Sequence, residues 1–390
     1  MSAPVPFNKI RYNTKDTALT AELKERVDAF FVERGRSKHA DGRMVAKSVF
    51  FFGGVLALLG LVLSGVLPFW SIVVVGVVLG CFDAFVGFNI GHDAIHGAYS
   101  DKPWVNALLS RSFDFVGASS FTWSTAHNFV HHTYTNVPGV DHDLEPGPYM
   151  LFYPREKPGY LYRFQHIYSW VLYLFASLVW LYKKDFQQAL APDPRSGKRA
   201  PTKKIVDMVL WKVFHVALFI GAPVVVGGYA WWQVLIFYVA VQAATGVTLA
   251  IVFQLAHVVE KTAFPRPNEA LVIDDPWMVH QLKTTANFAP DSFFANFFCG
   301  GLNHQIEHHL FAKICHIHYP ELAPIVREVA LKHGVPYHEY PSFLQALASH
   351  LRTMRRFGLP APQTMTPTTP TTTTATATTV DVGPEPLPAE

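Results

Sequence analysis

Nineteen of the 390 residues are histidine, and most of them gather in groups whose spacing suits metal ligation. The string GHDAIHG sets His92 and His96 four apart, which on a helix puts both imidazoles on one face. AHNFVHHTYTN repeats that step with His127 and His131 and adds the adjacent His132. NHQIEHH places Gln305, His308 and His309 at i, i+3 and i+4, with His304 and Glu307 interleaved, and a single His257 stands in FQLAHVVE. A lone pair of this kind is often only a polar cap on a helix end, and a lone histidine is more often a satisfied structural one. We read His39, His166, His215, His280, His333, His338 and His350 in that way. The count changes the reading for the groups. Structural zinc takes four ligands and catalytic zinc takes three plus water. His92, His96, His127, His131, His132, His257, His308 and His309 make eight, with Gln305 a ninth. That is too many for one ion and suits two. Imidazole serves iron, zinc, copper and nickel alike, so nitrogen ligation does not name the metal. A pair of redox metals with open positions in a lipid-facing chain suits O2 activation.

The elements that must carry these groups are membrane helices. Half the residues are hydrophobic and only 16% are charged, against about 25% in soluble domains. Four apolar stretches approach the ~20 residues that cross a bilayer: residues 49–67, 69–90, 205–226 and 231–256. Short uncharged turns, SGVLPFW and GGYAWW, join them as two hairpins. Residues 1–48 hold ten lysines and arginines and residues 99–204 hold twelve, while the hairpin turns hold none. The positive-inside rule then puts both ends and the central loop in the cytoplasm. A fifth apolar stretch, 166–182, is short and reads as interfacial. With it outside the count, every histidine group meets on one membrane face, as the cost of polar residues at membrane depth leads one to expect of a functional site.

The expected architecture is an all-α integral membrane protein of four transmembrane helices in two hairpins, with a cytoplasmic helical cap holding the site. Residues 1–46 form a cytoplasmic segment containing an amphipathic helix over 17–45. Residues 47–358 form the membrane domain, with helical cover over 320–356, and the Pro/Thr-rich tract 359–390 is disordered. We expect Lys212 to snorkel from the third span. Three cysteines without a CxxC pair exclude a disulfide framework or a cysteine zinc site. The net charge of +3 gives no case for nucleic acid, and the polar N-terminus does not read as a signal peptide.

HDAIHG, HNFVHHTYTN and QIEHH resemble the three histidine boxes of the membrane fatty acid desaturases, in the right order over roughly residues 45–340. Box two departs slightly, since His127 and His131 are separated by three residues rather than two. TTANFAP, GGLNHQIEHHLF and ICHIHYP resemble the bacterial acyl-CoA and linoleoyl-CoA branch, and a glutamine opening box three resembles the front-end enzymes. Those insert a double bond between an existing one and the carboxyl end. The resemblance implies two non-haem iron ions held by the eight histidines, with Gln305 a weaker neutral ligand or the holder of a metal-bound water. His304 is extra to the motif, and His316 and His318 are implied in support. Asp93, Asn128, Asp141, Asp143 and Glu307 are the polar neighbours placed to orient imidazole N–H groups. The implied reaction is O2-dependent insertion of a cis double bond into an acyl-CoA or lipid-bound acyl chain. Nothing resembles a fused cytochrome b5 domain, so the electrons are expected from a separate ferredoxin or cytochrome b5, in a bacterial inner membrane with the site on the cytoplasmic face. Hydroxylation by the same class of site, or a zinc transporter, are the competing readings. The second calls for carboxylates inside the spans, where only Asp83 and Asp207 stand near span ends.

Overall fold

The computed structural model describes residues 9–14 and 18–360. Among them four helices are long and apolar enough to cross a membrane: Gly42–Leu63, Phe69–Ile95, Thr202–Val225 and Trp231–His257. The Pro/Thr tract lies almost wholly outside the described residues. The first span starts earlier than its apolar run because Asp41 caps it, accepting from the Arg43 and Met44 backbone N–H groups. The second runs past residue 90 to carry the first histidine pair, through a π-helical turn at Gly87–Gly91. Such a wide turn re-aims the side chains that follow it.

The second and fourth spans form the axis of the bundle. Gly80 makes this possible, because a side chain there would run into the Val241 carbonyl and the Ala244 methyl. Ile72, Leu79, Phe237 and Val241 fill the seam, and Phe51 and Val55 join them from the first span. The opposite faces expose Val49, Leu56, Val74, Leu210, Val213 and Leu235, as a lipid-facing belt should. The two hairpin turns meet at one end, where Tyr229 donates to the Leu67 carbonyl at 3.1 Å. Exposed Trp70, Trp231 and Trp232 ring that end, the position favoured by tryptophan at a membrane boundary.

The fifth stretch is a bent pair, Tyr160–Leu174 and Ala176–Leu190, folded by 66°. Gln165 ties its start to Leu151 and Met354. Its end is held on the same side of the bundle, where Thr122 donates to Asp185 and Lys184 to Asp143. Both ends of the pair are thus tied to the cap segments, with Phe175 outward at the elbow. Lys212 does not snorkel. It is buried and donates to Asp185, because the second limb of the bent pair brings a carboxylate to it.

The cap is helical, but in more pieces than its sequence suggests. Ala18–Glu33 buries Leu19, Leu23 and Val27 against Tyr319–Lys332, and Phe343–Phe357 closes the side. Two parallel pairs of two-residue strands, Arg11–Tyr12 with Val272–Ile273 and Asn287–Phe288 with Glu339–Tyr340, stitch distant segments together. They form no larger sheet.

Candidate metal centre

All eight histidines singled out by the sequence converge at the cap end of the second and fourth spans. His92 and His96 come from the end of the second span, and His257 ends the fourth. His127 and His131 ride a π-helical segment, Ser124–His131, with His132 just past it. His308 and His309 lie on the short helix Gln305–Leu310. Their ring nitrogens fall into overlapping nests. In one, His92, His96, His127 and His308 offer ligand atoms within 4.8 Å of one another; in the next, His131, His257 and His309 do the same. His132 sits between them, 4.6 Å from the His308 ring and 4.3 Å from that of His309. Gln305 belongs to the second nest, its amide nitrogen 2.8 Å from His257 Nε2 and 3.3 Å from His309 Nε2.

Every one of these side chains is buried. Both ring nitrogens of His92 and of His308, His96 Nε2, His257 Nδ1 and Gln305 Oε1 have no hydrogen-bond partner. Buried polar atoms are nearly always satisfied, so this concentration of unused nitrogen lone pairs fits a metal site. Burial and the neighbouring imidazoles push His96, His132, His308 and His309 well below the usual histidine pKa, and burial takes His127 down to about 3. The neutral imidazole this favours is the ligating form. His131 goes the other way. Burial disfavours its cation, but the carboxylates of Asp141 and Asp143 outweigh burial and raise the pKa.

The surrounding groups divide sharply. Asp141 Oδ2 receives His131 Nδ1 at 2.9 Å and the Asn136 backbone N–H at 2.9 Å. Asp143 lies 3.6 Å from His127 Nδ1 and 3.8 Å from His131 Nδ1. Asp93 is 3.7 Å from His92 Nδ1, but its close partner is His316, at 2.9 Å, which in turn meets Lys47 at 2.9 Å. Asn128 and Glu307 do not hydrogen-bond to the eight histidines. Asn128 donates to the Ile95 carbonyl, and Glu307 accepts from Asn287 and Tyr337, burial raising its carboxyl pKa to about 7. His304 turns to Asn296 and His318 to the His39 carbonyl, so neither joins the nests. Two orienting residues were absent from the sequence reading. Gln281 Oε1 lies 2.8 Å from His309 Nδ1, and Thr135 bonds to both. No box spacing marks either.

Beside the second nest opens a cavity of 280 Å³, reached by His131 and His257 and walled by Leu172, Phe175, Ala176, Val179, Leu249, Ala250 and Phe253. Beyond Leu249 and Ala250 the fourth span presses on the elbow of the bent pair. A side chain at Gly246 would lie 2.7 Å from the Tyr173 carbonyl and 3.0 Å from the Ser177 nitrogen.

A four-span bundle with histidines clustered at one end, open to an apolar cavity, is the site of a membrane enzyme that acts on lipid chains. The fatty acid desaturase family model matches residues 68–341, and the chain belongs to that family. It is similar to the sn-1 linoleoyl-lipid 6-desaturase of Synechocystis sp., 37% identical over 340 residues that cover 86% of this chain and 94% of the relative. It also resembles the acyl-lipid (8-3)-desaturase of Physcomitrium patens, 35% identical over 86% of this chain and 71% of the relative. The Delta(5) fatty acid desaturase A of Dictyostelium discoideum is 32% identical over 72% and 64%. The chain is thus a membrane fatty acid desaturase, an oxidoreductase of lipid metabolism.

Proposed function

We propose that this desaturase is a front-end enzyme working on lipid-bound acyl chains, with two iron ions held by the eight histidines. The observation that carries the metal assignment is the pair of overlapping nests rich in unpartnered ring nitrogens. His92, His96, His127 and His308 would hold one ion and His131, His257 and His309 the other, with His132 between them and Gln305 beside the second. Bound and reduced, such a pair supplies the O2-dependent oxidation that removes two hydrogens from adjacent methylenes. The chain's own residues do the rest. Asp141 and Gln281 fix the faces of His131 and His309, and the apolar cavity excludes water and holds the acyl tail. Since no methylene differs chemically from its neighbour, position along that cavity selects the bond.

The front-end reading is supported by Gln305 and by the names of the linoleoyl-lipid and Delta(5) relatives. The basic stretch Lys183, Lys198, Arg199, Lys203 and Lys204 supports docking of a separate acidic electron carrier, a ferredoxin or a cytochrome b5, on the cytoplasmic face of a bacterial inner membrane. Lys184 and Arg195 are engaged by Asp143 and Asp193 and are less free to serve. The membrane domain proposed is 47–358, and the tract after about Leu359 is dispensable to the chemistry, since a Pro/Thr tract has no core to contribute.

Expression in a host supplied with linoleoyl lipid, followed by acyl-chain mass analysis and iron determination, tests the proposal. Expected are a product lighter by two hydrogens, a new double bond on the carboxyl side of the existing ones, and iron near two per chain. A hydroxylated product, or zinc in place of iron, would overturn it.

A further inference from the structure

A second cavity, of 530 Å³, lies where the first span meets the cap, beside the short helix Phe293–Phe298. Most of its wall is apolar, built by Ala46 and Phe50 of the span, Phe293 and Phe297 of that helix, and Ile317 and Pro320 of the cap. Two cations line it as well, Arg43 and Lys47, and no carboxylate does. A lysine near the end of a span usually snorkels toward water. Lys47 is half-buried and turns into the protein instead. It donates to the Asn296 carbonyl at 3.3 Å and meets His316 Nε2 at 2.9 Å, with its ammonium 5.5 Å from the centre of the Phe297 ring. Those partners are a carbonyl and an imidazole, and an ammonium has a third donor. Asp93 shares this network but pairs with His316, and among the described residues Lys47 has no ion pair of its own. A cation drawn partly out of water without a counter-ion is costly until an anion meets it.

We infer that this cavity binds one anionic phospholipid, its phosphate between Arg43 and Lys47 and one acyl chain along Phe50 and Phe297. Arg43 engages Asp41 through Nε, which leaves its two terminal nitrogens for phosphate oxygens, the fork a guanidinium presents to such anions. The anion must carry an apolar body, because the rest of the wall is mostly hydrocarbon. Its setting makes that body a lipid tail. Val45, Val49, Phe50, Phe293 and Phe294 are exposed beside the cavity and continue the lipid-facing belt to the end of the span, the depth of phospholipid headgroups. The volume lies within the usual range for ligand cavities and takes a phosphate with the upper part of one chain, the remainder lying along the belt. This cavity and the one beside His131 and His257 share no lining residue, so the inference stands apart from the acyl-site reading.

Native mass spectrometry of the full chain, stripped of lipid in a neutral detergent, tests the inference. The titrants are dioleoylphosphatidylglycerol and, as an uncharged control with the same tails, dioleoylglycerol. Expected is one phosphatidylglycerol per chain held ahead of any further copies, with the diacylglycerol held weakly. Arg43→Gln and Lys47→Gln should each weaken that first copy by about 5-fold, the usual worth of one basic side chain to an anionic lipid. Ala46→Phe, which narrows the cavity and leaves both cations and the Lys47–His316 contact in place, should weaken it as well. Equal binding of the two lipids, a ladder of copies with no tight first one, or an affinity unchanged in Arg43→Gln or in Ala46→Phe would overturn the inference.

Discussion

At the residue scale, the hydrogen bonds around the histidines divide neighbours that matter from neighbours that are merely close. Asp141 fixes His131 at 2.9 Å, so Asp141→Asn should lower metal affinity or turnover by about 10- to 100-fold, the usual effect of losing an orienting carboxylate. Asn128→Ala should leave iron content near the parent's, since Asn128 is spent on the Ile95 carbonyl. Iron per chain, measured on both proteins, decides between them. Gln281→Leu belongs with Asp141→Asn, because it strips His309 Nδ1 of its acceptor; full iron retention there would remove Gln281 from the support of the site. The box histidines were legible because helical spacing is written locally. Gln281 was not, because it reaches His309 across 28 positions of chain and only the fold joins them. The pairing of His316 with Asp93 was illegible for the same reason: the two lie 223 positions apart.

At the element scale, the four spans were readable from apolar length, and their ends were not. The first begins at Asp41, a cap that a hydropathy reading passes over, and the second ends in a histidine pair that a hydropathy reading cuts off. The bent pair was the least legible element, since 17 apolar residues (166–182) do not say whether a segment crosses or returns. Its anchors to Met354 and Asp143 tie both ends to the cap, which predicts that it returns. Lys157→Cys and Ser196→Cys, placed before and after it, should therefore react with an impermeant thiol reagent from the same side of sealed vesicles; reaction from opposite sides would make the pair a true span. The buried contact of Lys212 with Asp185 locks the second limb of the pair to the third span. Lys212→Met strands the carboxylate and should cost about 3–5 kcal/mol, whereas adding Asp185→Leu should restore much of it. Thermal unfolding of the two purified variants in detergent tests the order.

At the scale of the whole molecule, acid should loosen the cap before it touches the spans. His280 and His350 are buried outside the nests, and burial takes each down to about 4. The ordinary value is ~6.5. The unfolded chain thus binds more protons than the folded one between these values, and stability falls as pH falls. Their contribution is whole above about pH 6.5 and disappears toward pH 4. The midpoint of unfolding should drop from pH 7.5 to pH 5, and drop less in His350→Gln; an equal drop in that variant would remove His350 as a cause.

The two hairpin turns touch at one end of the bundle, and the nested histidines lie at the other. The bilayer's two leaflets are consequently unequal for this enzyme. If the cavity beside His131 and His257 is the acyl site, a lipid whose glycerol lies on the histidine side is near it, while one in the opposite leaflet faces the tryptophan-ringed turns. On the proposed function, new double bonds are made on one side of the membrane, and the far leaflet acquires them no faster than lipids flip.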